Sequence, residues 1–356
     1  MRNILIFVLC AACLGQTPAP QAPRPEQESV TIFRGNVSVV VAPVSVRQKN
    51  GEFVDDLQLG DFQLFDHNTL QNVTADIRNE PLSLVVAVQK STNMNVILPK
   101  IQRVGSMLND ILAGQDGEVA LVAFDHRIQV AQDFTNETTK ISEALKNIKP
   151  GSTNHAVIDA EMACVRMLRQ RPKERRKVLL LIAEKRDRGS EARVREALEE
   201  AEFANVAIFS IDISSVVATL TGEAIPPRPP AIPATAEHVP AGAPLTPTTI
   251  EQNYYVGNYI PMFVDIFKGV KSLFVDDTLD VFTKFTGGTQ YSFISEKSLE
   301  RAVQGISREM HSQYLLSYSP NNQTVGGFHD IRVVVDRPGL EVRTRPGYYV
   351  AGSVRE

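Results

Sequence analysis

Leu84-Val85-Val86-Ala87-Val88-Gln89-Lys90-Ser91-Thr92-Asn93-Met94 is the stretch whose reading decides the fold. It opens as an aliphatic run with no helical stripe and ends abruptly in a polar cluster. A short apolar run bounded by polar residues reads as a fully buried strand in the middle of a parallel sheet. Its polar tail then lies where the strand ends and the next helix begins. Open α/β sheets bind their ligands there, at the carboxyl ends of the strands.

Outward from this strand, residues 81–312 alternate strand and helix, the signature of βαβ units. Ile101, Val104, Leu108 and Ile111 mark one helical face, and Gly117 to Phe124 reads as a strand with a short edge partner at Arg127 to Val130. Helical stripes follow at Ile141, Ala144, Leu145 and Ile148, and then at Val157, Ala160, Cys164, Met167 and Leu168. Val178 to Ile182 is a buried strand. Val194, Ala197, Leu198 and Ala201 mark a helix, and Val206 to Ile211 the next strand. Residues 216–253 break the pattern with a run of prolines and read as a mobile surface insertion. A helix ends near Phe285 with Gly287-Gly288 as its stop. Thr289 to Phe293 reads as a last central strand, and Leu299 to Met310 as the last helix.

The flanks are β in character. In residues 29–80, Val37, Val39 and Val41 alternate, and Asn50-Gly51 is a hairpin turn. Phe62 to Phe65 and Val73 to Ile77 supply further strands, too few to close a core alone. Residues 313–350 add Tyr314 to Tyr318, Phe328 to Val335 and Leu340 to Thr344. These two halves are expected to complete one β-sandwich. The α/β unit is then inserted into it, with both ends of the insert close together. Residues 351–356 are a tail.

Residues 1–15 resemble an export signal: Arg2 is the positive start and Ile4 to Leu14 a short apolar core. Two processing readings stand, cleavage after Gly15 or lipid modification at Cys13, which would tether the protein to a membrane. Either places it outside the cytoplasm. Residues 16–28, rich in Pro, Gln and Ala, read as a disordered spacer. No other run is apolar enough to span a bilayer. The net charge of -4 gives no footprint for nucleic acid. Of 3 Cys only Cys164 lies beyond the leader, on the apolar face of a helix, and reads as a buried, inert thiol. The 6 His show no zinc spacing, and no nucleophile elbow or phosphate-binding glycine loop is present.

Three polar stretches fall at the carboxyl ends of predicted central strands: Gln89-Lys90-Ser91-Thr92-Asn93, Gly151-Ser152-Thr153-Asn154 and Ala183-Glu184-Lys185-Arg186-Asp187. Together they resemble the metal-ion-dependent adhesion site of von Willebrand factor type A domains. The likeness extends through Gly60-Asp61-Phe62-Gln63-Leu64-Phe65-Asp66, Gln313 to Tyr318 and Arg345-Pro346-Gly347-Tyr348-Tyr349, which look like an exported bacterial family of such domains. The resemblance implies a doubly wound, mostly parallel α/β sheet and a bound Mg²⁺ that accepts a carboxylate from a partner protein. In that family the first strand ends Asp-x-Ser-x-Ser, a loop supplies Thr and a later strand ends in Asp. Here Ser91 and Thr153 match, while Gln89, Asn93 and Glu184 depart.

Mg²⁺ demands oxygen ligands in near-ideal octahedral geometry. Gln89 and Asn93 offer at most an uncharged carbonyl, and Glu184 displaces its oxygen on a longer stem. An opposed charge about 4 Å away is worth on the order of 4 kcal/mol at an effective dielectric near 20. The loss of one carboxylate therefore removes several orders of magnitude of affinity. The expectation is weak or no divalent binding at Gln89, Ser91, Asn93, Thr153 and Glu184. Lys90 and Lys185 then present positive charge to an acidic partner directly, unless Glu184 neutralises Lys90 in a closed pair. The plainer readings are that Gln89 and Asn93 tie loops together, that Thr153-Asn154 caps the third helix, that the cations form a solvated edge, and that Asp125 and Asp187 serve loop turns. The function expected is protein–protein contact without catalysis. The competing readings are a metal-dependent adhesion module, a structural envelope protein and, last, a hydrolase using Ser91.

Overall fold

The computed structural model describes residues 39–77, 79–91, 97–102, 107, 111, 116–221, 260–268, 277–321 and 327–350. The leader, the spacer, the tail, Asn93 and most of the first predicted helix lie outside them. The strands are β1 Val40–Gln48, β2 Phe62–Asp66, β3 Thr69–Gln71, β4 Val73–Asp76, β5 Leu82–Gln89, β6 Glu118–Phe124 and β7 Ile128–Thr135. They continue with β8 Arg176–Ala183, β9 Val206–Asp212, β10 Gln290–Ser292, β11 Tyr314–Tyr318, β12 Gly327–Val335, β13 Leu340–Thr344 and β14 Gly347–Val350. The helices are α1 Leu98–Ile101, α2 Thr138–Asn147, α3 Val157–Arg169, α4 Val194–Phe203, α5 Ser214–Thr221, α6 Ile260–Phe267, α7 Thr278–Thr286 and α8 Glu296–Ser312.

The central sheet runs β10-β9-β8-β5-β6-β7, with every pairing parallel except β6 to β7. β5 is buried along its whole length because helices cover both faces of the sheet. Leu84, Val86 and Val88 enter the core beneath α2 and α8, while Val85 and Ala87 enter the one beneath α3, α4 and α7. This is the doubly wound, mostly parallel α/β sheet expected.

Four differences from the sequence reading have physical causes. Thr289 to Phe293 supplies an edge strand, not a central one: β10 is three residues long and pairs only with β9. β7 runs on to Thr135, well past Val130, because register shifts against β6 interrupt the period-two pattern beyond that residue. The helix α5 takes in the first six residues of the stretch read as irregular, and the rest of 216–253 lies outside the described residues. β3 and β14 are short strands that the pattern did not separate from their turns.

The flanking strands form two four-stranded sheets, β13-β1-β11-β4 and β14-β12-β2-β3. Each mixes strands from before and after the α/β unit. Val40, Ala42, Val44, Leu64, Tyr314, Leu316, Val333 and Tyr348 share one core between them. β4 pairs with β11, Asp76 opposite Leu316, so the chain leaves and re-enters the sandwich at neighbouring points. α7 ends at Gly287, whose φ of 81° is the left-handed conformation glycine adopts freely. Gly288 then passes so close to the Ile208 carbonyl that a Cβ has no room. The two units are joined at Glu309 of α8, fully buried, which accepts from Ser45 Oγ at 3.1 Å, Thr289 Oγ1 at 2.8 Å and Arg47 at 3.3 Å, and from Arg343.

Candidate functional site

β5, β6 and β8 end side by side, so Gln89, Asp125 and Glu184 arrive at one end of the sheet. Gln89 is wholly buried, and Ser91 and Glu184 nearly so. The Glu184 backbone N–H donates to Gln89 Oε1 at 2.9 Å. Only an oxygen accepts from a backbone N–H, so this bond fixes which way the amide faces. Gln89 Nε2 then points to the centre and donates to Ser91 Oγ at 2.9 Å and to Glu184 Oε1 at 2.8 Å. Both amide protons and the carbonyl are engaged, so the plainer reading of Gln89 as a loop tie describes it.

This set does not fit a divalent cation. The side chain in the position of the first acid presents N–H donors, not oxygens, towards Ser91 and Glu184. The lone carboxylate is already accepting from it. Thr153 is exposed and takes no part in the hydrogen bonds that join Gln89, Ser91 and Glu184. Among the described residues no group of three or more His, Cys, Asp or Glu is placed to hold a metal.

His155 adds a group the sequence reading did not weigh. It is 1% exposed, immediately before α3. Its Nε2–H donates to the Arg186 carbonyl at 2.9 Å, which leaves Nδ1, 3.9 Å from Glu184 Oε1, with no hydrogen-bond partner. The signal was present, since His155 directly follows Gly151-Ser152-Thr153-Asn154.

The expected cap of α3 is corrected. Thr153 and Asn154 make no capping bond. Instead, Asp187 Oδ1 accepts from Val157 N at 2.7 Å and Ser190 Oγ accepts from Ile158 N at 3.0 Å. Asp187 also accepts from Ser190 N, so it serves its own loop turn as read. Asp125 does the same, accepting from the backbone N–H of Arg127 at 2.7 Å and of Ser152 at 2.9 Å. Burial works against its charge, but those two amides, helped by Lys90 and His126, hold its carboxyl below the usual range.

The two lysines separate. Lys90 Nζ reaches Gln129 Oε1 at 3.4 Å, not Glu184, so the closed Lys90–Glu184 pair does not form. Two clefts of about 520 and 420 Å³ share Lys90 and Gln129. Lys185 lies across the site beside α7, its carbonyl accepting from Thr278 N at 2.8 Å.

Ser152, His126 and Asp125 also meet here, with His126 Nδ1 2.5 Å from Ser152 Oγ and 3.4 Å from Asp125 Oδ1. Arg127 Nε donates to His126 Nε2 at 2.9 Å, so in the neutral ring the proton sits on Nδ1. His126 therefore donates to the serine, the reverse of what a general base does.

No family model and no curated protein matches this chain. Solved structures similar to it include the VWA domain of SpRpn10 at 15% identity and a TM-score of 0.32, covering 37% of this chain and 75% of that one. An aerotolerance-related membrane protein from Bacteroides fragilis matches at 13% identity and a TM-score of 0.38, covering 64% of this chain and 99% of that one. A conserved hypothetical protein, BatB, from Bacteroides thetaiotaomicron matches at 14% and 0.31, covering 37% and 66%. All three scores are low and carry no argument. The doubly wound sheet, with Gln89, Ser91 and Glu184 converging at its carboxyl end, is the architecture implied by the motifs that resemble a von Willebrand factor type A domain.

Proposed function

We propose that this chain is an exported, non-catalytic binding protein that contacts another protein through the top of its α/β sheet or its sandwich edges, without a bridging divalent ion. The observation that carries this reading is the Gln89 amide nitrogen, which ties Ser91 Oγ to Glu184 Oε1. It does by hydrogen bonding what a cation does by ligation in the adhesion site that the motifs resemble. Lys90 and Lys185 remain half-exposed on either side and supply positive charge for an acidic partner. The leader at residues 1–15 supports export, with Cys13 as the alternative point of lipid attachment. The reversed His126–Ser152 hydrogen bond supports the absence of hydrolase chemistry.

Calorimetry tests the reading. Mg²⁺ and Mn²⁺ titrated into the native protein should give no binding heat at millimolar concentration, and Gln89→Asp should gain it. Saturable binding to the native protein would overturn the proposal. Turnover of p-nitrophenyl esters that Ser152→Ala abolishes would overturn its non-catalytic part.

A further inference from the structure

We infer that the cleft between β7 and α2, at the carboxyl end of the sheet, docks an acidic segment of the partner protein through Lys90 and Lys149. This rests on the proposed contact through the top of the sheet and names its place and chemistry. The register of β7 against β6 slips by one residue between Val130 and Gln132. Such a bulge re-aims side chains at a sheet edge. Here the consecutive residues Ala131 and Gln132 both line one cleft of about 520 Å³. Ala144 and Asn147 line it from α2. That volume falls within the range of about 300–1,000 Å³ that holds small ligands, far more than a single ion needs. Ala123, Ala131 and Ala144 present only methyl groups, which leaves room for a partner's side chains.

The charges select the occupant. The Gly151 backbone N–H donates to the Lys90 carbonyl, which sets Lys149 and Pro150 beside the end of β5. Both lysines therefore line the same cleft. Among the described residues neither forms an ion pair, and the 3.4 Å bond from Lys90 Nζ to Gln129 is long enough for a carboxylate to displace. Lys140, also in the lining, is paired with Glu137 at 2.6 Å. Glu143 is the only acid of this lining. Asp125, in the adjoining cleft of about 420 Å³, already accepts from the Arg127 and Ser152 backbone N–H groups. The balance is positive, which suits carboxylates. Phosphate fits less well, because the larger cleft has no arginine fork and the C-terminal end of α2 at Asn147, which repels a dianion, borders it. The Gln132 and Asn147 amides offer hydrogen bonds to the segment's peptide groups. Ile128, 39% exposed in the adjoining cleft, adds an apolar contact, so the segment that fits has apolar residues between its acids.

Fluorescence anisotropy with a labelled octapeptide of alternating Glu and Leu tests this. Exposed ion pairs contribute little each, so a Kd on the order of 10–500 µM is expected at low salt, weakening several-fold as salt rises. Lys90→Glu and Lys149→Glu should each weaken binding about tenfold, since attraction becomes repulsion. Ala144→Met fills the cleft without changing charge and should weaken it too. Lys297→Glu, an exposed charge that follows β10 at the opposite edge of the sheet, should not, which controls for net charge. The same peptide with Gln for Glu should bind about tenfold more weakly. Circular dichroism checks that each variant is folded. No saturation by the acidic peptide at millimolar concentration overturns the inference. So does binding that any of the three cleft substitutions leaves unchanged or that Lys297→Glu weakens equally. So does inorganic phosphate that competes as well as the peptide, which would make this a simple anion site. The calorimetric test of metal binding decides the ion-free contact by itself, so the two failures are distinguishable.

Discussion

Glu161 of α3 is completely buried, and neither of its carboxyl oxygens has a hydrogen-bond partner. Burial, reinforced by Glu200 nearby and only partly offset by Arg166, raises its pKa well above 4.5. In the unfolded chain the same group titrates near the ordinary value. The folded state therefore holds a proton that the unfolded state releases as pH rises. Stability from this site is fully present below the unfolded value and is lost as pH climbs towards the folded one. The loss runs at up to about 1.4 kcal/mol per pH unit. As pH rises above the ordinary carboxylate range towards neutrality the native protein should thus lose stability relative to Glu161→Gln, which cannot ionise. Glu161→Met removes the unpartnered oxygens at similar length and should be more stable than the native chain at pH 7 by about 1–3 kcal/mol. Urea unfolding is the assay, with equal slopes in denaturant checked for each variant. The chain has no Trp, so far-UV circular dichroism is the probe. If the native protein and Glu161→Gln change in parallel across this pH range, the buried, proton-holding carboxyl is refuted.

Asp187→Ala should cost about 1–2 kcal/mol by uncapping α3, whereas Thr153→Ala should stay within about 0.5 kcal/mol; thermal melts compare the two. Glu309→Ala should cost about 3 kcal/mol, the low end for breaking a buried ion pair. Arg47 and Arg343 each keep about a third of their side-chain surface in water, which softens the loss. The same urea titration reads it, and an unchanged midpoint would mean that Glu309 does not join the sandwich to the α/β unit.

The fold was legible wherever burial writes itself into sequence. The β5 run Leu82-Ser83-Leu84-Val85-Val86-Ala87-Val88-Gln89 has no exposed residue, so it carries few polar interruptions and reads as a central strand at sight. β7 was cut short because register shifts beyond Val130 break the alternation by which a strand is read. β10 was misplaced because three residues cannot say whether one neighbour or two lies beside them. Position in a sheet is a long-range property. The cap of α3 failed for a related reason. Reading a cap from sequence assumes that it sits next to its helix, whereas Asp187 reaches Val157 N from 30 positions away.

The site divides along the same line. Strand ends in a parallel sheet bring their loops to one place, so the three polar stretches stood out, and their resemblance to the adhesion-site motif singled out Gln89, Ser91 and Glu184. The same resemblance showed an amide where the family motif has an acid, which removes charge but leaves a carbonyl that could still face a metal. Which end of the amide faces inward is decided by the Glu184 backbone N–H, a donor that exists at every position but proline and so leaves no mark in the sequence. Once that N–H takes the carbonyl, the nitrogen must face Ser91 and Glu184. Rotating the amide to offer its oxygen to an ion would set N–H against N–H and strand a buried donor, at a cost of about 1–3 kcal/mol before any ligand bond forms. Charge and orientation therefore oppose a divalent ion independently. Restoring the acid at position 89 reverses both at once, because a carboxylate accepts from the Glu184 N–H with one oxygen and turns the other inward.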